Sequence, residues 1–210
     1  MPLLIKICGL KSAELVDTAI EAGADLIGFV HFAKSPRHLD LSDIGRLIKH
    51  VNGRAQTTIL TVNPDEDLLE HLLALDPDYI QLHGQETVER VDHIKNMGAR
   101  VIKALPIGDR EDLDAVPLYA AHADLLILDA KPPADAAHPG GNGEVFDWTL
   151  LKALDPSLKF MLSGGLTIDN VEQAIRDVQP FGLDLSSGVE VRKGEKDAGL
   201  IKEFMRRARD

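Results

Sequence analysis

Short runs rich in β-branched and aliphatic residues recur along this chain at near-regular spacing. They begin near Leu3, Asp25, Gln56, Asp78, Arg100, Asp124, Leu158 and Phe181, at intervals of 22, 31, 22, 22, 24, 34 and 23 residues. Each is followed by a polar turn and an amphipathic stretch, which is the alternation of βα units. Eight such units with no linker between them predict a single (β/α)8 barrel over residues 1–210, compact against the ~250 residues usual for that fold. An open doubly wound sheet is the alternative. The two long intervals enlarge the loops after strands two and six, HFAKSPRHL and AKPPADAAHPGGNGE, on the face where barrel enzymes keep their chemistry.

Helix signals fit the same frame. Ser12 precedes AELVDTAIEAG, Ser42 precedes DIGRLIKHV, and Asn63-Pro64-Asp65-Glu66 precedes DLLEHLLAL. Asn63 is expected to cap, Pro64 to take the first helical position, and Glu66 to complete a capping box. Asp109, Asp147 and Thr167 read as later caps, and Gly23 and Gly98 as C-terminal stops.

Charge narrows the function. With 34 acidic against 23 basic residues the net charge is −11, which disfavours nucleic acid as a partner, because a phosphate backbone requires a cationic footprint. No apolar run approaches the ~18–20 residues of a membrane span, and MPLLIKICGLK is interrupted too early to be a secretory signal. A cytoplasmic location follows as the expectation. Cys8, the one cysteine, excludes an internal disulfide, and the eight histidines form no metal-binding spacing, so no metal is expected.

Candidate chemistry sits at the strand ends. Lys6 and Cys8, two apart on strand one, share a face that is expected to look into the lumen. Lys6 would then lower the Cys8 thiol pKa, favour the thiolate, and make Cys8 alkylate faster than a free thiol; a lone cysteine acting as a small buried hydrophobe is the plainer reading. Asp129 ends the apolar run of strand six, where a carboxylate is costly unless it faces polar space. A base and an acid on these two strands would suit a proton-transfer isomerisation. Strand seven runs into Ser163-Gly164-Gly165-Leu166 and strand eight into Ser186-Ser187-Gly188-Val189. Gly164, Gly165, Ser186, Ser187 and Gly188 are therefore candidates for binding phosphate, after the two strands where barrels commonly do so. Arg37 would pair with a substrate carboxylate or stand solvated, His83 would hydrogen-bond in the mouth or simply pack, and Asp184 would take a polar position in the lumen. Gly140-Gly141-Asn142-Gly143 reads as a hinge or a further anion contact.

Taken together, KICGL at 6–10, GFVHFAKSPR at 28–37, IQLHG at 80–84, LLILDA at 125–130, GGNGEVFDW at 140–148, LSGGL at 162–166 and LDLSSGVEVRKGEKD at 183–197 resemble the phosphoribosylanthranilate isomerase family of tryptophan biosynthesis. The resemblance spans nearly the whole chain in the family's order. It implies a cofactor-free Amadori rearrangement of N-(5-phosphoribosyl)anthranilate, with Cys8 as general base, Asp129 as general acid, Arg37 on the anthranilate carboxylate and the two glycine turns on the phosphate. The partner implied is a phosphorylated small molecule, and the assembly is a monomer or homodimer. His31 and Asn142 depart from the family pattern. The histidine-pathway isomerase is the nearest rival, but TVNPDED after strand three lacks a second SGG turn, and that enzyme carries aspartate where this chain has Cys8. A metal-dependent phosphopentose epimerase and a non-catalytic phosphate-binding barrel are the remaining alternatives.

Overall fold

The computed structural model describes residues 3–132, 140 and 145–210. Among them, eight parallel strands close into a barrel in sequence order: β1 (Leu4–Cys8), β2 (Leu26–Val30), β3 (Gln56–Thr61), β4 (Tyr79–Leu82), β5 (Val101–Ile107), β6 (Leu125–Ala130), β7 (Phe160–Leu162) and β8 (Gly182–Leu185). β8 pairs with β1, Leu4 opposite Gly182 and Lys6 opposite Asp184, so the open-sheet alternative is excluded. Helices α1 (Ala13–Glu21), α2 (Leu41–Val51), α3 (Glu66–Leu73), α4 (Val88–Asn96), α5 (Val116–Ala120), α6 (Val171–Val178) and α7 (Ala198–Arg209) surround it. A 3-10 helix, Trp148–Ala153, stands between β6 and β7. A small antiparallel hairpin, β9 (Glu190–Arg192) and β10 (Glu195–Lys196), follows β8.

Strand alternation makes two cores. Ile5, Ile7, Ile27, Phe29, Ile59, Leu126, Leu128 and Leu183 point outward and pack with Val16, Ile44, Leu69, Val171 and Ile201 of the helices. Each such side chain contributes roughly 1.5–3 kcal/mol by leaving water. The inward residues Leu26, Tyr79, Ile102, Ala104, Leu125, Ile127 and Met161 fill the lumen. Above this apolar plug the lumen turns polar, with Lys6, Thr58, Gln81, Asp129 and Asp184 all buried. A polar layer over a sealed floor is where a water-poor site can be built.

Three aspartates at or just before the strand starts serve as caps at the other end of the barrel. Asp25, Asp78 and Asp124 accept the backbone N–H of Ile5, Thr57 and Val101 at 2.7–2.8 Å, each satisfying the strand before its own. Several helix starts differ from the sequence expectation. Asp65, not Asn63, caps α3, accepting from Leu68 N, while Asn63 takes a positive φ and accepts from Gln85 N. Pro64 therefore lies ahead of the cap. Asp40 stands at the cap of α2 in place of Ser42. Thr167 belongs to a turn with Asn170, and α6 begins only at Val171. Ser12 and Asp147 cap as expected, Asp109 accepts from Glu111 N and Asp112 N, and Gly23 and Gly98 follow α1 and α4 with positive φ.

Candidate active site

Cys8 ends β1 and Asp129 is the penultimate residue of β6, so parallel closure brings both to the C-terminal mouth of the barrel. Both are almost fully buried. Cys8 sits against β2, where a side chain on Gly28 would touch Sγ at 2.8 Å. Below it Lys6 Nζ donates to Asp184 Oδ1 at 2.7 Å, with both side chains out of solvent. Asp184 thus takes the lumen position expected of it, and its carboxylate is held by Lys6.

The charge on Cys8 differs from the sequence expectation. Burial raises its thiol pKa, Lys6 lowers it, Asp184 raises it again, and Lys196 lowers it; the outcome lies above the ordinary value. Desolvation wins because the lysine ammonium is already engaged by a carboxylate. Lys6 itself is opposed by burial and supported by Asp184 and Cys8, and its pKa ends raised, so it is charged. Cys8 is a thiol at neutral pH in the free protein, not the activated thiolate that the spacing implies.

Around Asp129 the groups converge. His83 Nε2 lies 3.2 Å from Asp129 Oδ2, His83 Nδ1 lies 3.1 Å from Gln81 Nε2, and Asp129 Oδ1 accepts from Ala130 N at 2.9 Å. The contact with Gln81 steadies the imidazole and turns Nε2 toward the carboxylate. Gly140 closes over this pair, since a Cβ there would lie 2.5 Å from His83 Nε2 and 2.8 Å from Asp129 Oδ2. The other residues of that glycine run, Gly141, Asn142 and Gly143, lie outside the described residues. His31 bonds Leu39 O through Nδ1 at 2.9 Å and shares a tilted ring contact with His38.

The two glycine turns meet at the same mouth. Gly164 and Gly165 take φ of +87° and +60°, a backbone that only glycine adopts cheaply. Gly188 approaches Leu166 O so closely that an added Cβ would lie 1.8 Å from it, which locks the two turns together. Turns of this kind leave backbone N–H groups aimed into a concave space, which is what an anion with several oxygens requires. Neither turn leads directly into an α-helix. Ser187–Val189 is a single 3-10 turn, and α6 starts at Val171, after the Thr167–Asn170 turn that follows Leu166. The Ser186 hydroxyl is engaged elsewhere: it donates to Cys8 O at 3.2 Å and accepts from Lys196 Nζ at 3.1 Å.

Arg37 is buried in the loop after β2, and its Nε and Nη2 donate to Glu190 Oε1 and Oε2 at 2.7 and 2.9 Å. Lys196 Nζ donates to the same Oε1 at 2.5 Å. Burial works against the Glu190 carboxylate, but Arg37 and Lys196 hold its pKa down at about 2. Burial brings Lys196 to about 8 despite Glu190. Sequence reasoning singles out neither Glu190 nor Lys196, although both lie in the motif at 183–197.

A closed (β/α)8 barrel with a thiol, a carboxylate and an imidazole at its C-terminal mouth, beside a pair of glycine-containing turns, has the form of a barrel enzyme suited to proton transfer on a small molecule. The family described as N-(5'phosphoribosyl)anthranilate (PRA) isomerase matches residues 5–207. The N-(5'-phosphoribosyl)anthranilate isomerase of Nitrobacter hamburgensis is 50% identical over 211 residues, covering 100% of this chain and 94% of its own. The crystal structure of phosphoribosyl anthranilate isomerase from Thermotoga maritima superposes with a TM-score of 0.88 at 34% identity, covering 98% of each chain. A phosphoribosyl anthranilate isomerase in complex with reduced 1-(o-carboxyphenylamino)-1-deoxyribulose 5-phosphate superposes at 0.83 with 31% identity, again over 98% of each chain. The chain belongs to the N-(5'-phosphoribosyl)anthranilate isomerase family.

Proposed function

We propose that Cys8 and Asp129 divide the proton transfers of the reaction this chain performs, the Amadori rearrangement of N-(5'-phosphoribosyl)anthranilate to 1-(2-carboxyphenylamino)-1-deoxy-D-ribulose 5-phosphate in tryptophan biosynthesis. The observation that carries this reading is the placement of a thiol and a carboxylate on β1 and β6 at one polar mouth, above an apolar floor. Asp129 gives a proton to the ribose ring oxygen, the C1'–O bond breaks, and the anilino nitrogen becomes a protonated Schiff base. Cys8 thiolate then takes the proton from C2', and the enolamine relaxes to the ketone. Each transfer contributes about 10²–10⁴-fold.

The working form carries the proton on Asp129 and the negative charge on Cys8. Burial opposes that charge, while Lys6 and Lys196 favour it, and the cationic Schiff base favours it further once formed. His83 positions the Asp129 carboxyl and meets the substrate beside it, and Asp184 acts through Lys6. Gly164, Gly165, Ser187 and Gly188 bind the phosphate, with Ser186 holding the second turn to β1, and Arg37 binds the anthranilate carboxylate. The reaction assigns no step to a metal or cofactor.

The whole of residues 1–210 forms one catalytic domain, placed in the cytoplasm as a monomer or homodimer; one Thermotoga maritima relative is described as dimeric. Among the described residues no helix is long and apolar enough to cross a membrane. Mixing folded protein with phosphoribosylanthranilate and following its anthranilate fluorescence tests the reading: the signal decays with turnover, and a flat trace overturns it.

A further inference from the structure

Glu190 is engaged on both oxygens. Oε1 accepts from Arg37 Nε and Lys196 Nζ, and Oε2 accepts from Arg37 Nη2 and from Gly194 N at 3.0 Å. Its side chain is 3% exposed and that of Arg37 4%. The two residues lie 153 apart in sequence, so this contact joins the loop after β2 to the hairpin after β8. The hairpin is seated on that loop, because a Cβ on Gly194 would lie 2.5 Å from Pro36 O. Lys196 continues the chain of contacts to Ser186 O and Oγ at 3.0 and 3.1 Å, and Ser186 Oγ reaches Cys8 O.

A bidentate carboxylate on the Nε–Nη2 edge fixes the plane of a guanidinium. The second edge of Arg37, Nη1–Nη2, then has one orientation instead of many. We propose that Glu190 is a positioning residue that sets the Arg37 guanidinium for a substrate carboxylate, and that Lys196 ties this arrangement to the Cys8 strand. This rests on the reading of Arg37 given above. The substrate does not touch Glu190; it meets an arginine whose orientational freedom was removed during folding, which strengthens recognition without an added contact.

The test compares two ligands in each variant: reduced 1-(o-carboxyphenylamino)-1-deoxyribulose 5-phosphate and its anilino counterpart lacking the carboxylate. The readout is the ratio of their dissociation constants. In Glu190→Gln the preference for the carboxylate falls by about tenfold or more, while affinity for the carboxylate-free ligand changes by less than about twofold. Affinities for both ligands falling together indicate a purely structural role and overturn the proposal, as does an unchanged ratio. Glu190→Asp keeps the charge but withdraws it by one methylene, and it serves if Glu190→Gln does not fold: a ratio lowered severalfold supports the proposal and an unchanged ratio overturns it. Arg37→Ala separates the two claims. If it keeps the wild-type ratio, the reading of Arg37 fails; if it loses the preference while Glu190→Gln retains it, the Glu190 proposal alone fails.

Discussion

Spacing along β1 and the packing around it disagree on the charge of the Cys8 thiol, and alkylation decides between them. A free thiol near pKa 8.5 is about 3% thiolate at pH 7. Burial holds the Cys8 thiol above its ordinary value, so a smaller fraction of it is thiolate at that pH. Alkylation follows the thiolate fraction and access, and Cys8 is 3% exposed. Iodoacetamide at pH 7 is therefore expected to modify Cys8 more slowly than a free thiol, and the rate should rise about tenfold per pH unit up to about pH 8. Cys8 is the one cysteine in the chain, so mass spectrometry of the intact protein reads it directly. Lys6→Met removes the nearest cation and should slow the reaction further. A rate that levels off below pH 8, or exceeds that of a free thiol at pH 7, would show that Lys6 prevails over burial.

Other consequences can be measured on stability and binding. Lys103 and Glu86 form a buried pair at 2.8 Å, so Glu86→Ala should lower unfolding free energy by about 3–5 kcal/mol by stranding the ammonium, visible in urea melts; a loss below about 1 kcal/mol would contradict it. Glu190, at about 2 in the folded protein against 4.5 unperturbed, contributes stability present above pH 4.5 and lost as pH falls toward 2. Its size is at most about 3 kcal/mol, much of it offsetting the burial of Lys196. Glu190→Gln should flatten that part of the stability-pH curve, and an unchanged slope would be evidence against it. Gly165→Asp places a carboxylate at a φ of +60° beside the proposed phosphate position and should raise KM strongly; a folded variant with wild-type KM would remove the phosphate assignment.

The barrel is legible in the sequence because its signal is local and repeated: β-branched runs, polar turns and amphipathic stretches recur across the chain. The positions of Cys8, Asp129 and the two glycine turns follow from that frame, since each stands at the end of a strand. Cap identity is harder to read, because Asn63, Pro64, Asp65 and Glu66 offer several polar starts and the Asn63 contact to Gln85, 22 residues on, decides among them. Glu190 and Lys196 escape notice as site residues for a related reason. Their partner Arg37 is remote in sequence, and no spacing rule connects a loop after strand two to a hairpin after strand eight. The sign at Cys8 escapes it too, because alternation gives the face of a residue and says nothing of how completely its surroundings exclude water.

Steady-state kinetics of Cys8→Ser and Asp129→Asn with phosphoribosylanthranilate, followed by fluorescence on protein shown to be folded, bear on the division of proton transfers itself. Serine keeps the shape of Cys8 but is a far poorer base, and asparagine keeps the shape of Asp129 but supplies no acidic proton. Each variant is expected to lose about 10²–10⁴-fold in kcat while KM stays near that of the wild type. Near wild-type kcat in Cys8→Ser would return Cys8 to packing and require another base, and the same result in Asp129→Asn would remove the proposed acid.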